Sequence, residues 1–66
     1  MRLMVNGAPR AVEDVLDVAA LVALLTAAKR GVAVAVNGEV VPRSRWEAVA
    51  LRDGDRVEVL TAAQGG

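Results

Sequence analysis

Cysteine, histidine, tyrosine and phenylalanine are all missing from the 66 residues, and Trp46 is the single aromatic side chain. Without a thiol the chain forms no disulfide, and the His and Cys sets that hold zinc or iron-sulfur clusters are unavailable, so no metal is expected and a reducing cytoplasm is the expected setting. Eight basic and eight acidic residues cancel and are interspersed. No cationic stripe exists to neutralise nucleic-acid phosphates or to settle on anionic lipid, which argues against both as partners. The longest uncharged run, Val18 to Ala28, has about half of the ~20 residues that span a bilayer. The N-terminus also lacks a signal-peptide layout.

What the chain does have is valine, 13 of 66 residues, in a composition that is 55% apolar. Such a composition favours pleated, half-buried strands over disorder. A chain this short buries only about 60% of the surface its unfolded form exposes, so one thin core is expected.

The pattern along the chain predicts its elements. Arg2-Leu3-Met4-Val5 alternates and is followed by Asn6-Gly7, the dipeptide suited to the positive φ angles of a type I′ turn. A two-residue turn sets Val5 opposite Ala8 and Met4 opposite Pro9, where the proline's missing donor faces away from the partner and marks an edge strand. Asp17 precedes Val18, Leu21, Val22 and Leu25, an i, i+3, i+4, i+7 stripe, and is placed to cap a helix from Val18 to about Ala28. Leu16 and Leu21 have the spacing of a hydrophobic staple, and Lys29, Arg30 and Gly31 supply a cationic last turn with a left-handed stop.

Val32 to Val36 reads as a strand, and Asn37-Gly38 repeats the hairpin signal before Glu39-Val40-Val41, which Pro42 halts. Ser44 and Glu47 have capping-box spacing around Trp46, which is expected to anchor the core. Asp53-Gly54-Asp55 reads as a turn rather than a calcium site, because two carboxylates flanking glycine lack the further ligands calcium requires. It launches a last alternating strand from Arg56 to Leu60. The predicted class is α+β: a mixed sheet of four to five strands with one helix on one face, residues 1–60 forming the globule and 61–66 a flexible tail.

One helix covers only one face of such a sheet. If Leu3, Val5, Val57 and Val59 face the helix, period two sends Met4 and Leu60 to the open face, where they are candidates for partner docking. The tail carries the only group suited to unusual chemistry. Its terminal carboxylate sits on Gly65-Gly66, which have no side chains to obstruct entry into a narrow cleft. Six residues, 61–66, reach about 20 Å at ~3.3 Å each if extended.

These residues resemble the ubiquitin-like β-grasp sulfur carriers, most closely the carrier family of thiamine biosynthesis, over essentially the whole chain. The resemblance rests on Val5-Asn6-Gly7, on Ala35 through Arg43 followed by Trp46, on Leu51 through Val57, and on terminal Gly65-Gly66. It implies adjacent, parallel first and last strands. It also implies that the chain is a cosubstrate and not an enzyme, binding no cofactor of its own. Gly66 would be adenylated by a partner enzyme that uses ATP and converted to a thiocarboxylate with sulfur drawn ultimately from a cysteine desulfurase. Thiazole synthase would then take that sulfur. The small subunit of molybdopterin synthase and a ubiquitin-like protein modifier are the alternative readings.

Overall fold

The computed structural model describes residues 1–15, 17–28 and 30–62. Five strands and one helix follow in the order β1 (Arg2–Val5), β2 (Ala8–Ala11), α1 (Val18–Leu25), β3 (Val32–Val36), β4 (Glu39–Val40) and β5 (Arg56–Thr61). They form one mixed sheet with strand order β2-β1-β5-β3-β4. β1 and β5 are neighbours and parallel, with Met4 beside Arg56 and Val5 beside Val57. This is the ubiquitin-like β-grasp arrangement that the resemblance implied.

Both hairpins close as their turn residues dictate. Asn6 and Asn37 each take φ 51°, followed by Gly7 and Gly38 at 82° and 86°, the left-handed pair a type I′ turn needs. The first register sets Leu3 opposite Arg10, Met4 opposite Pro9 and Val5 opposite Ala8. β2 is therefore an edge strand with Pro9 in it, and its four residues are all exposed.

Helix α1 starts as its sequence predicts. Asp17 is extended, and its Oδ1 accepts from the Ala20 amide at 2.8 Å. The stripe of Val18, Leu21 and Val22 is buried. The end differs: the helix stops at Leu25, three residues short of Ala28, because Thr26 turns extended. The Thr26 hydroxyl accepts from the Ala28 amide at 3.0 Å, a local bond that competes with helical continuation. Gly31 does take a positive φ of 74°, but it lies too far downstream to stop the helix and serves the C-terminal strand instead. The proposed Leu16 staple and the Lys29 charge fall outside the described residues.

A second correction concerns Ser44. A 3-10 segment spans Arg43–Arg45 with Pro42 as its preceding residue and no side-chain cap. Pro42 cannot donate, and its fixed φ, here −60°, suits it to the position before the first turn. The segment thus begins before Ser44, and Arg45 N–H donates to the Pro42 carbonyl at 2.8 Å. The capping box with Glu47 is not formed.

The core between α1 and the sheet is entirely apolar. It contains Leu3, Val5, Val18, Leu21, Val34, Val57 and Val59, and is closed at one end by Val41, Trp46 and Leu51. Among the described residues no polar or charged side chain is buried. Trp46 is 7% exposed, and its indole Nε1–H donates to the Val41 carbonyl at 3.0 Å. The carboxylates of the Asp-Gly-Asp turn are engaged by backbone: Asp53 accepts from the Arg2 amide at 2.6 Å and Asp55 from the Arg52 amide at 2.8 Å. Among the described residues no helix is long and apolar enough to cross a membrane.

Candidate functional site

β5 is the central strand and carries the chain toward its C-terminus. The carbonyls of Asp55, just before the strand, and of Val57 within it accept from the Met4 and Asn6 amides on the β1 side, both at 2.9 Å. The Arg56 carbonyl accepts from the Asn37 amide at 2.7 Å on the β3 side. Within β5, backbone groups of odd-numbered residues therefore face β1 and those of even-numbered residues face β3.

Where β1 ends, the Asn6 side chain takes over its pairing. Its carboxamide donates to the Val59 carbonyl at 3.1 Å and accepts from the Val59 amide at 2.8 Å. One residue thus supplies both the turn geometry and an added rung on β5. Asn6→Gly keeps the backbone conformation and deletes both bonds, so a stability loss of about 1–2 kcal/mol is expected. A urea midpoint that moves at unchanged slope is the readout.

On the opposite edge, β3 pairs with β5 from Val36↔Val57 to Val32↔Thr61. One further bond lies beyond the strand, from the Ala62 amide to the Gly31 carbonyl at 2.6 Å. Regular pairing therefore extends through Thr61 and a backbone bond reaches Ala62, so ordered chain continues into the segment that the sequence assigns to the tail from residue 61. Gly65 and Gly66 lie outside the described residues.

Met4 and Leu60 do share the face opposite α1, but the sheet does not bring them together. Met4 stands beside Arg56, and Leu60 lies four residues along β5, about 13 Å at ~3.3 Å each. Glu58 projects from the same face between them. Met4 is half-buried, whereas Leu60 is 68% exposed.

Leu60 has a different apolar neighbourhood. It is opposite Ala33, Glu58 is opposite Ala35, and Ala35 is also opposite Val40 on the other side of β3. Leu60, Ala33, Ala35 and Val40 consequently form an oblique apolar band across three strands. Val40 is 77% exposed, the most exposed large hydrophobic residue described. Sequence reasoning missed Val40, although the signal was present: a two-residue Asn37-Gly38 turn fixes Ala35 opposite Val40, and period two then places both on the open face.

A mixed sheet with parallel β1 and β5 side by side and one helix packed on one face defines a ubiquitin-like β-grasp protein. The model of the ThiS family matches residues 3–66, and the chain belongs to that family of sulfur carriers. A crystal structure of the thiamine biosynthesis protein ThiS from Geobacter metallireducens is 40% identical, covers all of both chains and superposes with a TM-score of 0.81. A solution structure of a thiamine biosynthesis protein from the same organism is also 40% identical. It has a TM-score of 0.84 over 100% of this chain and 88% of that one. The whole chain is also 39% identical to part of a thiazole synthase from Paramagnetospirillum magneticum, and spans 20% of that protein's length.

Proposed function

We propose that the chain carries sulfur as a thiocarboxylate on Gly66 for assembly of the thiazole ring of thiamine. The observation that carries this reading is the family match, which runs through the final residue and so includes the two terminal glycines. A terminal carboxylate has a reference pKa of about 3.3–3.7, is ionised at neutral pH, and is a poor electrophile. Attack of the carboxylate on ATP forms an acyl adenylate and releases pyrophosphate. The terminal sulfur of an enzyme persulfide, charged ultimately by a cysteine desulfurase, then forms the C–S bond as AMP leaves. Reduction of the remaining S–S bond by a thiol releases the thiocarboxylate. The chain has no cysteine, so the C-terminus is its only plausible sulfur-bearing group.

Thiazole synthase is the proposed acceptor, supported by the relative of that name whose sequence includes a segment aligned to this entire chain. Gly65 and Gly66 would enter the partner's active site. Met4 and Leu60, with Val40 added to Leu60 by the sheet register, are proposed as the surface that meets the adenylating enzyme. Leu60→Asp places a charge on a side chain outside the core, so the thermal midpoint should stay within a few degrees while ATP–pyrophosphate exchange with that enzyme drops at least tenfold. Normal exchange by the folded variant would remove Leu60 from the docking surface.

The intact mass of protein isolated from cells tests the chemistry. A single oxygen-for-sulfur exchange is the expected result. A ladder of larger conjugates would identify a modifier instead, and an unchanged mass under sulfur-replete conditions would identify an unmodified interaction module. Incubating the thiocarboxylate form with thiazole synthase or with the large subunit of molybdopterin synthase then separates the two sulfur acceptors.

A further inference from the structure

We propose that Asn37 is a site of covalent modification, deamidation through a cyclic imide, and that the fold shields Asn6 from the same reaction. The tripeptide Val-Asn-Gly occurs twice, at residues 5–7 and 36–38. Ring closure is fastest where the residue after asparagine has no side chain to hinder it. The Gly38 amide nitrogen attacks Cγ of Asn37, so that an N–Cγ bond forms and the Cγ–Nδ2 bond breaks. Nδ2 leaves as ammonia, taking up the proton that the Gly38 amide gives up. Water then opens the ring, at Cγ to give aspartate or at the Asn37 backbone carbonyl carbon to give isoaspartate. The reaction needs no partner enzyme.

Both turns leave the nucleophile accessible. Among the described residues no hydrogen bond engages the amide of Gly7 or of Gly38, and a methyl group added at either glycine would meet nothing within 4 Å. What differs is the hold on the carboxamide. Asn6 is bound to both backbone groups of Val59 by part-buried bonds of 3.1 and 2.8 Å, and turning its Cγ back toward Gly7 opens a rung of the central strand. The Asn37 carboxamide donates to Asp55 Oδ1 and accepts from the Arg56 amide, each at 3.0 Å and each exposed, so water replaces these bonds as they open. Its turn joins β3 to the two-residue strand β4 at the sheet edge, where local opening costs least. Aspartate at position 37 would exchange the Nδ2 donor for a second carboxylate oxygen facing Asp55, and that link would become a like-charge contact. Isoaspartate would route the main chain through the side chain and lengthen a turn whose two residues set Ala35 opposite Val40. The register would then slip, and Val40 would leave the apolar band.

The repeated tripeptide supplies its own control. The full chain is incubated in mildly alkaline buffer and sampled over time, and the peptides containing Asn6 and Asn37 are resolved by mass, with isoaspartate assigned by electron-transfer fragmentation. In the folded protein Asn37 should convert at least about tenfold faster than Asn6. In urea strong enough to unfold the chain, the two rates should come within about threefold of each other, because the local sequence is the same and the hold on Asn6 is gone. Either product adds one negative charge to a chain whose formal net charge is zero, so the modified forms separate on anion exchange. In the isolated isoaspartyl form the Val41 amide, bonded to the Val34 carbonyl at 2.8 Å in the parent, should exchange hydrogen at least about tenfold faster. Equal rates at the two asparagines in the folded chain, faster conversion at Asn6, or conversion of Asn37 in urea alone would overturn the proposal. An unchanged Val41 amide in the isoaspartyl form would overturn the slip in register.

Discussion

Deleting Gly66 is expected to reduce thiocarboxylate formation to background while leaving the thermal midpoint unchanged. The carboxylate moves back by one residue, about 3.3 Å in an extended chain, whereas attack geometry requires reacting atoms about 3–3.5 Å apart. A displacement as large as the reaction distance itself cannot be absorbed by side-chain adjustment in the partner. Among the described residues the last buried one is Val59, and a glycine has no side chain to give to a core. Gly66→Ala keeps the carboxylate at the same chain position but adds a methyl group beside the nucleotide, and should slow adenylation without loss of stability. A thermal melt and a mass assay on parent, deletion and alanine variants make the comparison. Normal thiocarboxylation of the deletion variant would remove Gly66 from the chemistry.

Trp46→Ala should produce the opposite pattern, with the fold lost first. The side chain closes the end of the core beside Val41 and Leu51. Its indole bond to the Val41 carbonyl holds the segment that leaves β4. The Arg43 guanidinium also lies 5.3 Å from the ring centroid, within cation–π range. Truncating a buried Trp to Ala costs about 3–5 kcal/mol. At roughly 0.05–0.15 kcal/mol per residue, a domain of this size has only about 3–10 kcal/mol in total. The expected fall in melting midpoint is therefore about 12 °C or more, since 1 kcal/mol shifts a domain of 60–100 residues by about 4–8 °C. An unchanged midpoint with lost partner binding would place the work of Trp46 at an interface instead.

The parts of this molecule that were legible in its sequence are those governed by local rules. Asn6-Gly7 and Asn37-Gly38 determine two turns and, through them, the pairing of Met4 with Pro9 and of Ala35 with Val40. Asp17 and the stripe behind it determine where α1 starts and which face it buries. The helix end was less legible because two signals compete there: the cationic residues and Gly31 argue for continuation to Ala28, while the hydroxyl of Thr26 offers a nearer bond. Ser44 misled for a similar reason, since its spacing from Glu47 fits a cap but Pro42 starts the turn first.

The surface around the candidate site required the sheet itself. Period two assigns Met4 and Leu60 to one face, yet only the parallel register of β1 with β5 shows how far apart along the strand they stand. That register depends on contacts distant in sequence. The same is true of the Asn6 carboxamide, whose two bonds to Val59 bridge a separation of 53 residues. No turn rule predicts that an asparagine chosen for its backbone angle will also complete a strand elsewhere.

The placement of β5 between β1 and β3 also bears on mechanical load. Force applied along the axis of β5 strains the rungs to both neighbours in shear, so that they share it. Pulling β2 sideways from the sheet would instead peel its rungs one after another, each failing alone. Force along β5 is therefore shared by rungs on both of its edges, whereas β2, at the edge of the sheet, has rungs to β1 alone.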